Sequence, residues 1–132
     1  MKQHILVVDD EAPIRELLAI YLDKQGYQVS TAATSEETLR LTDQQRIDLV
    51  VLDIGLAEED GLMVLASLKK KHPNLRVVML TGMGFVEDLL QGALHLGADG
   101  YVSKILPLDE LWITIRGILG SEQTETEACQ AA

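Results

Sequence analysis

Four acids, one hydroxyl and one lysine carry the chemical interest of this chain. Asp9, Asp10 and Glu11 follow directly on the aliphatic run ILVV, Asp53 closes a second run, LVVL, and Thr81 and Lys104 end two further β-rich segments. Adjacent carboxylates repel one another and raise each other's pKa, and burying even one unpaired costs a great deal, so a cluster of them calls for a countercharge. Oxygen-only ligands suit a hard cation, magnesium or calcium, better than zinc or copper. Magnesium uses one or two carboxylates, keeps waters, and shares its remaining positions with phosphate oxygens. A lysine and a hydroxyl beside it are fitting partners for a phosphoryl group. Asp53 is then the candidate nucleophile, forming an aspartyl-phosphate while the cation, Lys104 and Thr81 disperse charge on the transferring oxygens.

That chemistry requires a fold that brings separate segments to one place. Strands are expected at His4–Val8, Gln28–Ala32, Asp48–Asp53, Arg76–Thr81 and Gly100–Lys104, and ILVV and LVVL are continuously apolar, as strands covered on both faces are. Between them lie segments of helical period. Ile14, Leu17, Leu18, Tyr21 and Leu22 share one face of a helix over about Pro13 to Gln25, with Pro13 in its first turn and Gly26 at its stop. A capping box from Thr34 to Glu37 opens a second helix that ends before Arg46. A third spans Gly61 to His72 and is closed by Pro73, a fourth runs from Gly84 to Leu96, and a fifth from Pro107 to Leu119. Five βα units in succession, wound by right-handed crossovers, predict a doubly wound α/β fold with a five-stranded parallel sheet of flavodoxin-like order 2-1-3-4-5. Ligands bind such sheets beyond the carboxyl ends of the strands, where the winding reverses between strands one and three. Asp9, Asp10 and Asp53 fall at that point, with Thr81 and Lys104 closing strands four and five.

Each residue alone has a plainer use. Acids before a helix complement its dipole, an aspartate before Gly55 is an ordinary loop acid, and most lysines are simply solvated. The weight lies in their falling together at one end of successive strands. Composition narrows the classes further. The 132 residues suit one domain, the single Cys129 gives neither a disulfide framework nor a zinc spacing, and the net charge of −10 disfavours nucleic acid and anionic membranes as direct partners. No apolar run reaches the length of a membrane span, and MKQHILVVDD does not read as a signal peptide, so a cytoplasmic location is expected.

The ordered set VVDDE, LVVLDIGLAEEDG, MLTG and GADGYVSK closely resembles the receiver domain of bacterial two-component response regulators, over about Gln3 to Leu119. The resemblance implies that Asp53 accepts a phosphoryl group from a sensor histidine kinase or a phosphotransfer protein. It implies further that Asp10 binds magnesium directly, Asp9 through water, Asp53 with its carboxylate and Gly55 through its carbonyl. Thr81 and Lys104 would hold the phosphoryl oxygens, and Thr81 with Tyr101 would form the switch. Such a domain catalyses its own phosphorylation and dephosphorylation without turning over a separate substrate. The surface of the fourth helix, fifth strand and fifth helix, with Phe85, Leu96 or Trp112, would contact a downstream protein, an output domain or a second copy in a homodimer.

Departures from the family pattern carry expectations of their own. Ile105 stands where proline is usual after the lysine, so a trans bond is expected there, a cis bond before a non-proline residue costing about 2.5–4 kcal/mol. Ala57 replaces a customary proline, and Gly82 and Gly84 loosen the entry to the fourth helix. Gly55 and Met83 lack the amide or acid that orients water for dephosphorylation, which implies a slow loss of the phosphoryl group. Ile105 and the ending IRGIL resemble receivers joined to LuxR-type helix-turn-helix outputs. Residues 1–119 are read as the receiver domain and 120–132 as a polar tail or truncated linker. Among rival classes, a haloacid dehalogenase-type phosphatase needs a second acid where Gly55 stands, and a flavodoxin-like carrier would not place acids in its phosphate loop. The remaining alternative is a receiver-like scaffold that works without phosphorylation.

Overall fold

The computed structural model describes residues 2–55, 60–82, 87–104 and 108–119. Five parallel strands, β1 (His4–Val8), β2 (Gln28–Ala32), β3 (Leu49–Asp53), β4 (Arg76–Thr81) and β5 (Gly100–Ser103), form one sheet in the order β2-β1-β3-β4-β5. Helices α1 (Ala12–Lys24), α2 (Ser35–Gln44), α3 (Gly61–Lys71), α4 (Glu87–His95) and α5 (Leu108–Leu119) alternate with them. The doubly wound fold expected from the sequence is thus the one observed.

Two cores explain the continuous apolar runs. Successive strand residues face opposite sides of a sheet. Leu6, Val8, Val50, Leu52, Val77 and Met79 therefore pack on one face with Val64, Leu65 and Leu68 of α3. Ile5, Val7, Leu49, Val51, Val78 and Leu80 pack on the other with Leu18 and Leu22 of α1 and Leu111 and Ile115 of α5. Both faces are covered, so the interior positions of β1 and β3 are apolar and the acids stand where the strands end.

Boundaries differ from expectation for local reasons. At the start of β3, Asp48 gives its amide to the His4 carbonyl at 2.8 Å, but its carboxylate Oδ2 accepts the His4 amide at 2.7 Å. The side chain takes over a backbone role, and the strand begins one residue later than the apolar pattern suggests. The Thr34 hydroxyl accepts the Glu37 amide at 3.2 Å as a capping box requires, yet Glu37 Oε1 reaches the Ala33 amide, one residue before the cap, at 2.9 Å. Asp60 caps α3 by accepting the Leu62 amide at 2.9 Å. Gly26 and Gly97 end α1 and α4 with φ of 97° and 100°, the left-handed conformation that favours glycine at a helix stop. The expected helix starts at Gly84 and Pro107, the Lys104–Ile105 bond, Ala57, Met83, Phe85 and the tail lie outside the described residues.

Candidate functional site

At the carboxyl end of β1 the chain leaves the sheet at Asp9, which is fully buried. Its amide still donates to the Ala32 carbonyl of β2, at 3.2 Å. Three groups then fix the residue: the Glu11 amide donates to its Oδ1 at 2.9 Å, Arg15 donates through Nη1 to its carbonyl oxygen at 2.7 Å, and the Lys104 ammonium lies 2.8 Å from its Oδ2. Asp53, 3% exposed, ends the neighbouring strand β3, where its Oδ1 accepts the Gly55 amide at 3.0 Å.

Lys104 begins at the far side of the crevice. Its amide donates to the Thr81 carbonyl at 2.7 Å, continuing the β4–β5 ladder by one residue, and its side chain returns across the strand ends to the acids. Nζ reaches Asp53 Oδ2 at 2.9 Å and Glu11 Oε1 at 3.3 Å in addition to Asp9. One ammonium therefore serves three carboxylates. Burial by itself would pull its pKa down. The Asp9 and Asp53 carboxylates more than reverse this and hold the group above the ordinary lysine value, so it stays charged.

Asp9, Asp10, Asp53, Thr81 and Lys104, expected around one crevice, follow or close the carboxyl ends of β1, β3, β4 and β5, which are adjacent in the sheet. Carboxylate oxygens of Asp9, Asp10, Glu11 and Asp53 all lie within 4.8 Å of one another. Asp9 Oδ2 is wholly buried against the Lys104 ammonium. An all-oxygen set of four carboxylates that one ammonium leaves strongly anionic fits a divalent cation of the hard class. Thr81 is fully buried at the end of β4, paired in register with Ser103, and Tyr101 pairs with Met79. By the two-residue alternation Thr81 and Tyr101 lie on the same sheet face, that of α3, and Tyr101 packs against that core. Leu96 is partly buried against the same core, and Trp112 against the other, where Arg116 sits 4.3 Å from its ring centroid. A cleft of about 500 Å³ lies at the opposite end of the sheet, lined by Asp48, Lys71, His72 and Pro73, away from every one of these groups.

Three contributors escaped the sequence reading. Glu11 was noted as the third acid of its run but not as a partner of Lys104. Arg15 follows it by one helical turn, a spacing that could have suggested a shared neighbourhood. Gly61 opens α3 so close to the crevice that a Cβ there would stand 2.5 Å from the Asp53 carbonyl oxygen and from Ile54 Cα. Its amide donates to the Ile54 carbonyl at 3.0 Å, which draws α3 onto the backbone that carries Asp53.

Comparison with known proteins bears on this arrangement. A profile of the response regulator receiver domain matches residues 5–116. The probable transcriptional regulator ycf27 of Guillardia theta is 42% identical over 118 residues, covering 89% of this chain and 46% of the relative. The chain spans about half the length of the curated relatives it matches. Among solved structures, a CheY-like response regulator receiver domain protein from Methanospirillum hungatei superposes with a TM-score of 0.85 at 29% identity, covering 95% of this chain and 99% of the other. A response regulator from Burkholderia pseudomallei, solved with a phosphorylated aspartic acid, a calcium ion and citrate, gives 0.80 at 26%, covering 98% and 74%.

Proposed function

This chain belongs to the family of response regulator receiver domains, and from that premise we propose that Asp53 is the residue on which its phosphoryl group is carried. The domain is a phosphoacceptor switch of a two-component system. One observation supports the assignment to Asp53: it closes the central strand β3, between the acids that follow β1 and Thr81 at the end of β4, whereas Asp9, whose two oxygens are likewise held by a backbone amide and the shared lysine, follows β1 beside the other acids.

In this reading an Asp53 carboxylate oxygen attacks phosphorus in line with the bond to the donor. An oxygen–phosphorus bond forms, the bond to the donor's histidine nitrogen breaks, and that nitrogen keeps the electron pair. The Gly55 amide restrains Asp53 Oδ1, so the carboxylate cannot rotate freely during attack. Lys104 must loosen at least one of its three acids to follow the phosphoryl oxygens, and its raised pKa means that it does so as a cation. Magnesium, held by Asp9, Asp10, Asp53 and the Gly55 carbonyl, would supply further charge neutralisation to those oxygens. Thr81 would donate its hydroxyl to the phosphoryl group. Phosphorylation would replace the single carboxylate charge by a phosphoryl group of about −1.5 to −2 with three acceptor oxygens. Movement of Thr81 toward them would vacate space on the face it shares with Tyr101, coupling the site to the surface of α4, β5 and α5.

The partners follow from this scheme: a sensor histidine kinase or phosphotransfer protein as donor, and a downstream protein, an output domain or a second copy of the chain as reader. Leu94 on α4 and Ile113 on α5, 47% and 50% exposed, are apolar side chains available on the reading surface. The relatives are named as transcriptional regulators, which supports a transcriptional output. A LuxR-type form of that output rests on Ile105 and the IRGIL ending alone. The net charge of −10 supports a DNA contact made elsewhere than on the surface of this domain.

Incubation with acetyl phosphate and magnesium, followed by intact mass measurement, tests the proposal. The wild type should gain one phosphoryl adduct that Asp53→Asn does not acquire and that chelator prevents. An adduct that persists in Asp53→Asn would move the acceptor to another residue, and no adduct at all would favour the scaffold alternative.

A further inference from the structure

We infer that Arg15 is a positioning residue for the cation and phosphoryl site, acting through the backbone of Asp9 and not through its own charge. The inference rests on the functional reading above and adds a residue to it. Asp9 is the residue at which the chain turns from β1 into α1. Its amide remains in the sheet, bonded to Ala32, but its carbonyl has left the strand ladder and is fully buried with the rest of the residue. Arg15, one turn into α1 and half-buried, donates to that oxygen at 2.7 Å. The bond is charge-assisted and therefore among the stronger kinds.

The consequence lies in which peptide is held. The Asp9 carbonyl belongs to the plane joining Asp9 to Asp10, so fixing it fixes the direction in which the Asp10 carboxylate leaves the backbone. Asp10 itself is only half-buried and is the least constrained of the buried or half-buried acids. The Arg15 amide meanwhile donates to the Glu11 carbonyl at 3.0 Å, and the Glu11 amide holds Asp9 Oδ1. Side chain and backbone of one residue thus tie the start of α1 to the turn that presents all three consecutive acids. No arginine nitrogen is paired with an acid of the cluster among the described contacts, which is what separates this role from that of Lys104.

The sign of the effect distinguishes positioning from charge. A cation next to a cation-binding site repels its occupant, so removing Arg15 on electrostatic grounds alone should tighten magnesium binding. Positioning predicts the opposite. Loss of outer hydrogen bonds that orient metal ligands commonly costs about 10–100-fold in metal affinity. Arg15→Met should therefore weaken magnesium binding by about tenfold or more in a calorimetric titration of the folded protein, well below its unfolding temperature. Arg15→Lys, which can return one N–H to the carbonyl, should recover most of that loss. In nitrogen-15 spectra of the metal-free protein the Asp10 amide should shift in Arg15→Met and return toward its wild-type position in Arg15→Lys.

Unchanged or tighter magnesium binding by Arg15→Met, with the wild type binding normally, would overturn the role of Arg15 and leave the phosphoacceptor reading intact. Equal weakening in both variants would also overturn it, since a restored donor would then make no difference. A wild-type protein that takes up neither magnesium nor a phosphoryl group would remove the functional reading and this inference with it.

Discussion

Replacing Lys104 with methionine should destabilise the cation-free protein and, at the same time, make it bind a divalent cation more tightly. The Lys104 side chain is 14% exposed, and its ammonium stands between Asp9 and Asp53, neither of which has appreciable contact with water. Removing it leaves two buried carboxylates with oxygens no more than 4.8 Å apart. At an effective dielectric constant of 20, two unit charges at that distance repel by roughly 3.5 kcal/mol. Measured losses on breaking buried ion pairs run to about 3–5 kcal/mol, so a deficit of about 3 kcal/mol is expected at pH 7 in the presence of chelator. For a domain of this size that corresponds to a fall of roughly 10 °C in melting temperature. Saturating magnesium should recover most of it by supplying the missing positive charge, and the magnesium midpoint should shift to lower concentration because the lysine no longer occupies the same oxygens. Phosphorylation by acetyl phosphate should nevertheless slow. Urea unfolding of both proteins with chelator and across a magnesium titration supplies the stabilities and the midpoint, thermal melts the temperature shift, and adduct formation the phosphorylation rate. A Lys104→Met protein as stable as the wild type in chelator, or one whose deficit is the same with and without magnesium, would show that the lysine does not compensate the acids.

Other substitutions probe separate parts of the site. Gly61→Ala sets a methyl group against backbone atoms that cannot rotate away, and should cost about 1–3 kcal/mol while slowing phosphorylation, measured by urea unfolding and by adduct formation. At Gly55 a Cβ would meet Asp53 Oδ1 at 3.9 Å, an ordinary contact, so Gly55→Asn should fold normally and shorten the lifetime of the phosphoryl group by placing an amide beside it; phosphate release after donor removal reads this directly. Asp43 at the far end of the molecule is held below the usual aspartate range first by its hydrogen bond to Lys71 and then by that to His72. Its folded pKa is depressed, so the stability it contributes is present above the unfolded value of about 3.9 and is lost as pH falls through the folded one. Melting curves of the wild type and Asp43→Asn should differ at neutral pH and converge in acid.

The fold was legible because its strands and helices obey different periods without ambiguity. HILVV and LVVLD are short, rich in β-branched residues and continuously apolar, as strands buried on both sides are, and four of the five strands begin at the residue the pattern indicates. Asp48 is the exception, because a side chain acting in place of a backbone carbonyl leaves no periodic trace. The site was legible by position for a related reason. A residue that closes a buried strand must emerge at the end of the sheet, and in an all-parallel sheet the carboxyl ends lie together, so Asp9, Asp53, Thr81 and Lys104 could be placed in one crevice without coordinates. Close approach was not legible. Nothing in the string EEDGLMV says that Gly61 lies against the Asp53 backbone, since that depends on where α3 docks once Val64, Leu65 and Leu68 are packed.

The direction of Lys104 was also beyond the sequence, and it changes how the site should be understood. A strand-end lysine could have faced water with its charge held in reserve for an arriving phosphoryl group. Instead it is already spent on Asp9, Asp53 and Glu11, on the oxygens a divalent cation would use. Before phosphorylation, then, lysine and cation compete for a limited set of anionic oxygens, and each lowers the other's occupancy. An aspartyl-phosphate reverses that relation. It would replace one carboxylate charge by about −1.5 to −2 and add phosphoryl acceptors, so that the crevice, still holding Asp9, Asp10 and Glu11, would carry more negative charge than either cation neutralises alone. On the proposed assignment of Asp53, competition would become cooperation, and the phosphorylated state would be selected by two positive groups that opposed one another a step earlier. Glu11 sets the balance: its carboxylate, 62% exposed, is the partner Lys104 can release at least cost, because water can replace the lysine there and cannot at Asp9 or Asp53.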